Sequence, residues 1–230
     1  MISICIATYN GEKYICQQVD SILSQLNSAD EIIISDDGSK DNTISVLEAY
    51  HDPRINIFYN KGRHGVVPNF ENALKKTSGD IIFFADQDDI WENNKISRCM
   101  EALKNADLVV HNAIVVYEDG SHAGEDFFHL RHSGPGYWKN LYKNSFMGSC
   151  MAFRKNVKDY ALPFPHHILW HDMWIGLMVE KKGKTIFIND QLIHYRRHVG
   201  NASATSEAST FSKWKMLKYR IQMLYYSSIR

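Results

Sequence analysis

Short apolar runs alternate with segments of helical periodicity along the first half of the chain. The apolar runs predict four strands, at residues 3–7, 31–35, 55–59 and 80–85. Apolar residues that recur at helical spacing predict the helices that follow them, at 12–26, 41–50, 68–76 and 93–106. Strands that are apolar on both faces and alternate with helices belong to a parallel sheet that is covered on both sides. The pattern therefore predicts an α/β domain.

The pattern changes after about residue 117, where glycine, proline, histidine and aromatic residues become frequent. A strand pair is predicted over 108–116, just before this change. Beyond it the predicted elements are a strand at 148–154, a helix at 172–182 and short strands at 184–188 and 192–197. We therefore divide the domain into two halves, 1–110 and 111–207.

Residues 208–230 form a separate pattern, which predicts an amphipathic helix. Its apolar face consists of Phe211, Trp214, Leu217, Ile221 and Leu224. Basic residues accompany this face, and no acidic residue follows Glu207. Two interpretations stay open: the apolar face packs on the body of the protein, or it lies on an anionic membrane surface.

Composition and charge narrow the class of protein. The 26 Lys and Arg residues balance the 26 Asp and Glu residues, so an overall basic footprint for nucleic acid is absent and no nucleic-acid partner is expected. The four cysteines are scattered without a C-x-x-C pair, which favours reduced thiols over a disulfide framework or a zinc knuckle. No secretory signal pattern and no apolar run of roughly 18 residues is present. We therefore expect a cytoplasmic location.

Polar side chains collect where each predicted strand of the first half ends, at 8–11, 36–39, 60–65 and 86–89. Ligands of open parallel sheets bind beyond the carboxyl ends of the strands. Adjacent carboxylates repel one another unless a cation or a shared proton relieves them, and oxygen ligands suit Mg²⁺ or Mn²⁺. The sequence at 36–39 is also a favourable turn, whereas a solvated loop needs no such concentration of acid as that at 86–89. The pattern predicts a site for a phosphate-bearing ligand with a divalent metal.

Five motifs, in this order, resemble those of the family 2 glycosyltransferases, and within them the rhamnosyltransferase-like branch. They are Ala-Thr-Tyr-Asn-Gly-Glu-Lys-Tyr (7–14), Ile-Ile-Ile-Ser-Asp-Asp-Gly-Ser-Lys-Asp-Asn-Thr (32–43), Phe-Ala-Asp-Gln-Asp-Asp-Ile-Trp (84–91), His-Asp-Met-Trp (171–174) and Tyr-Arg-Arg-His (195–198). The resemblance implies the GT-A fold, a Rossmann-like, mixed and mostly parallel sheet flanked by helices. It makes 1–110 the half that binds the nucleotide-sugar donor and 111–207 the half that binds the acceptor.

The resemblance implies a donor site in the first half. The donor-binding residues would be Ala7, Thr8, Asn10, Asp36, Asp37, Asn69, Asp86 and Gln87. Within this set Asp37 would accept a hydrogen bond from the pyrimidine ring, and Asp36 would support that loop. Asp86 would contact the ribose or lie behind the metal ligands.

The resemblance also implies the metal site, the base and the acceptor contacts. Residues 86–88 resemble the D-x-D motif, so Asp88 would hold Mn²⁺ or Mg²⁺, with His198 completing the metal or diphosphate site. Asp172 falls where the family places its catalytic base, although the residue before it is histidine where the family often has glutamate. Acceptor contacts would come from Trp91, Trp170 and His171, with packing under the motif loop as the alternative for Trp91.

The implied activity is inverting, metal-dependent transfer of a sugar from a UDP- or dTDP-sugar, such as dTDP-rhamnose, to a saccharide. The acceptor would belong to bacterial surface polysaccharide synthesis, such as capsule or O-antigen. A lipid-linked saccharide acceptor would bring the enzyme to the inner face of the membrane through 208–230.

Two alternatives to this activity stay open at the sequence level. The first is a catalytically silent nucleotide-sugar-binding or assembly partner. The second is a zinc hydrolase, because two histidine pairs have i, i+4 spacing, although no H-E-x-x-H motif is present.

Overall fold

The computed structural model describes residues 1–198 and 212–230, which include one eight-stranded sheet. The strands are β1 (Ile2–Thr8), β2 (Glu31–Asp36), β3 (Ile55–Tyr59), β4 (Ile81–Ala85), β5 (Ile90–Trp91), β6 (Leu108–Tyr117), β7 (Met151–Arg154) and β8 (Thr185–Arg197). Their order is β3-β2-β1-β4-β7-β6-β8-β5. The first four strands are parallel, β7 is antiparallel to both of its neighbours, and β5 is antiparallel to β8. This mixed, mostly parallel sheet confirms the predicted fold class.

Helices flank the sheet. They are α1 (Ile15–Leu23), α2 (Thr43–Glu48), α3 (Val66–Lys76), α4 (Lys95–Leu103), α5 (Phe127–Arg131), α6 (Tyr137–Tyr142), α7 (Val157–Ala161), α8 (His171–Lys182) and α9 (Lys213–Ser228), and a 3₁₀ turn at Gly148–Cys150 leads into β7. α3 packs against β1 and β2, whereas α4 packs against β6, β7 and β8. The central strands β1, β2 and β4 are buried on both faces, as their uninterrupted apolar residues predict.

The predictions of a strand pair at 108–116 and of two short strands at 184–188 and 192–197 are wrong, because each region forms one long strand. β6 runs through the predicted pair at 108–116, and β8 joins the segments predicted at 184–188 and 192–197. The parallel pairing of β6 with β8 shifts register on both sides of Asn112. There the Asn112 side-chain amide donates a hydrogen bond to Asn189 Oδ1 at 2.8 Å. A bulge stabilised by side chains thus keeps β8 continuous across the polar residues that suggested a break.

The predicted C-terminal helix is present as α9, although Phe211 and the rest of 208–211 lie outside the described residues. Ser212 Oγ accepts a hydrogen bond from Lys215 N at 3.3 Å, a typical N-terminal cap. No described helix has both the length and the apolar character needed to cross a bilayer.

The predicted apolar face of α9 does not pack on the body, so the first interpretation of this helix is wrong. The buried residues of α9 are Met223 and Ser227. The predicted face is exposed instead, with exposed fractions of 81% for Trp214, 44% for Leu217, 58% for Ile221 and 37% for Leu224. α9 carries apolar residues on both sides. The side that contains Met223, not the predicted face, packs against α6 and α8.

Candidate active site

The loop after β2 is organised by the buried carboxylate of Asp36. Asp36 Oδ2 accepts hydrogen bonds from Gly38 N and Ser39 N, both at 2.9 Å, and its Oδ1 accepts one from Ser39 Oγ at 2.5 Å. Gly38 has a φ of +89°, which glycine adopts without steric cost. Asp36 is buried and therefore supports the loop, as predicted, rather than presenting its carboxylate to a ligand.

Asp37 joins this loop to the segment after β3. Asp37 Oδ1 accepts a hydrogen bond from the Asn60 side chain at 2.7 Å and lies 3.0 Å from His64 Nδ1. Its Oδ2 accepts a hydrogen bond from Gly65 N at 2.7 Å. The carboxylate thus connects the loops at the carboxyl ends of β2 and β3.

The side chains of Thr8 and Asn69, which are predicted to bind the donor, lie inside the fold and do not line an open surface. Asn69 Nδ2 donates a hydrogen bond to the Thr8 carbonyl at 3.2 Å, and Asn69 Oδ1 accepts one from Ser35 Oγ at 2.6 Å. Both residues are buried. They fix the end of β1 because a buried carbonyl needs a donor.

Asn10 and Gln87 brace the loop after β1. Asn10 has a φ of +49°, and its Oδ1 accepts a hydrogen bond from Lys40 N at 2.8 Å. Gln87 binds the main chain of Tyr9 twice, accepting from its N–H at 3.0 Å and donating to its carbonyl at 3.2 Å. Ala7 is half-buried at the end of the same strand. These loops form a connected surface at the carboxyl ends of β1, β2 and β4.

The two predicted metal ligands lie in contact, although they are 110 residues apart. Asp88 Oδ2 is 2.8 Å from His198 Nε2, and each side chain is 11% exposed. The end of β8 delivers His198, and the loop after β4 delivers Asp88. Within 1–198 and 212–230, no three His, Cys, Asp or Glu side chains converge on one metal position. Two protein ligands suit a cation that also binds ligand phosphates.

Two further carboxyl groups crowd around this pair. Burial, together with the carboxylate of Asp88, raises the pKa of Asp86 to about 7. The same causes raise the pKa of Asp89, which is fully buried, well above its usual range. A bound cation would offset this repulsion. The residues therefore fit a hard divalent cation such as Mg²⁺ or Mn²⁺.

Two basic residues that the sequence analysis did not single out lie beside the acidic loop. Arg196 Nε donates to the Asp88 carbonyl at 3.1 Å, and Arg196 N donates to Asp89 Oδ1 at 3.2 Å. Lys95 is fully buried and donates to the Ser149 carbonyl at 2.7 Å. Burial lowers the pKa of Lys95 to about 8. Arg196 was recognisable as part of the 195–198 motif, whereas Lys95 resembles an ordinary helix-surface lysine.

Trp91 packs beneath this loop, which favours the structural alternative over acceptor contact. Its side chain is 2% exposed, and the Lys95 ammonium lies 3.9 Å from its ring centroid. The centroid of the Phe83 ring lies 5.6 Å from that of Trp91. A buried ring cannot reach a saccharide, so Trp91 does not belong to the acceptor surface.

The predicted base stands at the first turn of α8. Asp172 Oδ1 accepts a hydrogen bond from Met173 N at 2.6 Å. Burial raises the pKa of Asp172 to about 6, against the lowering effect of backbone hydrogen bonds. Its charge contributes to the raised pKa of Asp86, so the base candidate lies beside the metal loop. A carboxylate of this kind can accept a proton near neutral pH.

The two neighbours of Asp172 differ in what they can contact. His171 stacks on Phe70 at 4.1 Å between ring centroids and meets Phe84 edge-on at 5.2 Å. It is buried, and burial lowers its pKa to about 3, so it is neutral. This packing leaves its ring little surface for the predicted acceptor contact. Trp170 is half-buried and stays available for that role.

The histidine pairs that suggested zinc do not form a common site. His171 belongs to the aromatic stack, and His194 contacts Glu92 at 2.6 Å rather than His198. His194 lies on β8, and His198 directly follows that strand. Residues four positions apart are neighbours on a helix but not along an extended strand, so this spacing does not bring the two side chains together.

Gly148 leaves room for the side chains next to the base. A Cβ at this position would lie 2.9 Å from His171 Nε2 and 3.8 Å from Asp172 Cβ. We expect Gly148→Ala to cost about 1–3 kcal/mol of unfolding free energy and to lower activity, because the stacked imidazole has no free space. Thermal unfolding in the His171→Ala background supplies the control, since there the extra methyl should cost little. An equal cost in both backgrounds would contradict the proposed clash.

Known proteins are similar to this chain in sequence. The sequence model of the family "Glycosyl transferase family 2" matches residues 3–161. The dTDP-rhamnosyl transferase RfbG of Shigella flexneri is 30% identical over 231 residues, covering 92% of this chain and 78% of the relative. The Escherichia coli protein WfgD, a UDP-Glc:alpha-D-GlcNAc-diphosphoundecaprenol beta-1,3-glucosyltransferase, is 27% identical over 97% of this chain and 85% of its own length.

Solved structures agree on the fold. S. aureus TarS 1-349 in complex with UDP-GlcNAc superposes with a TM-score of 0.74 at 18% identity, covering 98% of this chain and 66% of that chain. The mannosyltransferase PcManGT from Pyrobaculum calidifontis, in complex with GDP-Man and Mn²⁺, gives a TM-score of 0.65 at 18% identity over 87% of this chain and 57% of its own. This chain therefore spans less than two thirds of those structures. Its sequence motifs, its family match and its sheet lead to one conclusion: the chain belongs to the family 2 glycosyltransferases.

Proposed function

We propose that this glycosyltransferase is an inverting, divalent-metal-dependent enzyme that uses a UDP- or dTDP-sugar. The observation that carries the proposal is the grouping of Asp86, Asp88 and His198 beside Asp172 at the carboxyl ends of the strands. In a nucleotide-sugar-dependent family, this arrangement would put a cation-binding pair and a proton acceptor on either side of one reacting centre.

The donor half, 1–110, would bind the nucleotide over the loops after β1 and β2. Asp37 lies at the rim, where its carboxylate can face a pyrimidine, while Asp36 and Gln87 hold the loops in place. RfbG is named for a dTDP-rhamnosyl donor and WfgD for UDP-Glc. Both names support a pyrimidine diphosphate donor, and we retain dTDP-rhamnose as one candidate.

Asp88 and His198 would hold Mn²⁺ or Mg²⁺ together with the diphosphate. When bound, the cation stabilises the negative charge that the leaving diphosphate acquires. The chain itself keeps the two ligands at 2.8 Å and holds the loop through Arg196. PcManGT was solved with Mn²⁺ bound, which supports the use of a divalent metal in this fold.

Asp172 would act as the base. Its carboxylate takes the proton of an acceptor hydroxyl while that oxygen forms the new bond to the anomeric carbon, and the bond to the diphosphate oxygen breaks on the opposite face. One base is sufficient for such a displacement, which inverts the anomeric centre. The half 111–207, with Trp170 beside the base, would bind the acceptor.

The acceptor we propose is a saccharide, free or lipid-linked, in bacterial surface polysaccharide synthesis such as that of capsule or O-antigen. WfgD is named for a diphosphoundecaprenol-linked acceptor, which supports the lipid-linked form. An enzyme with such an acceptor works in the cytoplasm at the inner face of the membrane, and the exposed face of α9 supports this location.

Calorimetric titration of a nucleotide panel, with and without Mn²⁺, tests the proposed donor site. We expect UDP or dTDP to bind more tightly with Mn²⁺ and purine diphosphates to bind weakly. Asp159→Ala, which removes an exposed carboxylate on α7, is the control and should leave binding unchanged. Absence of pyrimidine diphosphate binding would contradict the proposal. Binding without sugar transfer or donor hydrolysis would favour a silent nucleotide-sugar-binding partner instead.

A further inference from the structure

Exposed aromatic and aliphatic side chains of two adjacent helices form one surface on the second half of the protein. On α6, Trp138 is 70% and Tyr142 is 71% exposed. On α9, Trp214, Leu217 and Ile221 follow one another at helical spacing along the exposed face. We call these five residues the α6–α9 surface. Two largely exposed tryptophans on one monomer surface indicate contact with something other than water.

The two helices are fastened together, so the surface is continuous. Arg220 Nε donates a hydrogen bond to the Tyr142 carbonyl at 2.9 Å, and its guanidinium lies 4.6 Å from the Tyr142 ring centroid. On the inner side, Tyr137 Oη is 2.5 Å from Ser227 Oγ. Arg220 precedes Ile221 on α9 and therefore bridges the apolar face of α9 to the aromatic residues of α6.

The charged residues of the two helices themselves have one sign. Exposed lysines on the two helices and at their ends are Lys139, Lys143, Lys213, Lys215 and Lys218. No acidic residue occurs between 137 and 147 or between 212 and 230. Because the whole chain has a net charge of zero, this surface is a local concentration of positive charge.

We propose that the α6–α9 surface docks on an anionic lipid bilayer. Indole and phenol rings at the headgroup level, aliphatic side chains beneath them and lysines toward the lipid phosphates match the chemistry of such an interface. A second copy of the chain fits less well, because a symmetric contact would place two positively charged faces against each other.

Docking through this surface brings the candidate active site close to the bilayer. The Tyr219 ring on α9 lies 6.2 Å from the ring of Trp170, which directly precedes α8 and is two residues from Asp172. A lipid-linked acceptor could therefore enter from the membrane side. This step rests on the proposed function, whereas the docking itself does not.

Vesicle flotation of the full chain, without nucleotide or metal, tests the docking. We expect the wild type to float with vesicles that contain phosphatidylglycerol and to stay behind with pure phosphatidylcholine. Trp138→Ser and Trp214→Ser should each reduce the bound fraction. Lys213→Glu combined with Lys218→Glu should reduce partitioning of the protein to these vesicles by at least about 20-fold, because each of the two lost lysine charges contributes about fivefold. Met100→Ser, which removes an exposed apolar side chain on α4, is the matched control and should change nothing.

Three results would overturn the proposal. The first is absence of flotation with anionic vesicles, and the second is flotation that Trp138→Ser and Trp214→Ser leave unchanged. The third is a dimer in light scattering that Trp214→Ser converts to monomer, because then a second copy covers the surface. All variants alter exposed side chains, so circular dichroism should show an unchanged fold. Flotation without donor binding would leave the docking valid and contradict only the proposed sugar transfer.

Discussion

Asp172→Asn should lower sugar transfer by about 10²- to 10⁴-fold, because it removes the group that accepts the acceptor proton. The introduced amide keeps an oxygen for the hydrogen bond from Met173 N, so the local structure should persist. Donor binding, measured by calorimetry, should stay near the wild-type value. Asp159→Asn, the same substitution at an exposed position of α7, is the matched control. Wild-type turnover in Asp172→Asn would remove Asp172 from the mechanism.

The pH dependence of transfer should report the same group. The base acts as a carboxylate, and burial raises the pKa of Asp172 to about 6. Transfer should therefore fall as the pH drops through about 6, with tenfold loss for each further unit while this ionisation limits the rate. The residual rate of Asp172→Asn should lack this limb of the profile.

The same substitution should make the protein more stable at neutral pH. The pKa of Asp172 rises from an ordinary value of 3.8 to about 6, so the folded state disfavours its charged form. The resulting cost is absent below about pH 4, develops between 4 and 6, and is complete above 6. Asp172→Asn should remove up to roughly 3 kcal/mol of this cost at pH 7.5 and gain nothing at pH 4, as measured by denaturant unfolding. A variant that loses activity by unfolding would instead be less stable at both values.

Asp88→Asn should abolish the dependence of donor binding on Mn²⁺ and lower transfer by about 10²- to 10³-fold, since charge on the leaving group is then poorly stabilised. Thermal unfolding separates this role from a structural one. The wild type should gain stability when Mn²⁺ and UDP are added together, because both bind the folded state only. The variant should lose that gain. Without metal its stability should stay near that of the wild type, because the amide keeps an oxygen that can lie against His198 Nε2.

His198→Ala provides the companion measurement. His198 contacts Asp88 at 2.8 Å from the far end of β8, so its loss should weaken Mn²⁺ binding while Asp88 remains. Raising the Mn²⁺ concentration should therefore restore part of the activity of His198→Ala but none of that of Asp88→Asn. Identical behaviour of the two variants at all Mn²⁺ concentrations would contradict a shared metal site.

Local chemistry was sufficient to predict the strands of the first half and the position of the acidic loop. β1, β2 and β4 are buried on both faces, and an uninterrupted apolar run is the direct signature of that burial. The roles predicted for Asp88 and Asp172 came from the resemblance of their motifs to those of the family, not from local chemistry. The contact between Asp88 and His198 was also implied by the motifs, although only the sheet brings β8 to that edge.

The direction and partners of side chains needed the tertiary structure. Thr8 and Asn69 belong to the predicted donor site, yet both side chains are buried, and the Asn69 side chain, on α3, donates a hydrogen bond to the Thr8 carbonyl. His171 belongs to an aromatic stack because α3 supplies Phe70, a neighbour 101 positions away in the chain. Lys95 lies at a helix position typical of the surface, and the loop before β7 covers it with the Ser149 carbonyl.

α9 shows why the sequence of a segment predicts a helix but not which face of that helix is buried. Its periodicity correctly predicts a helix, since the spacing of apolar residues depends on the backbone of that segment alone. Which face is buried depends on the shape and polarity of α6 and α8, which the segment does not encode. Periodicity therefore determined that Trp214, Leu217 and Ile221 share a face, and packing decided that this face points to the surface rather than to the core.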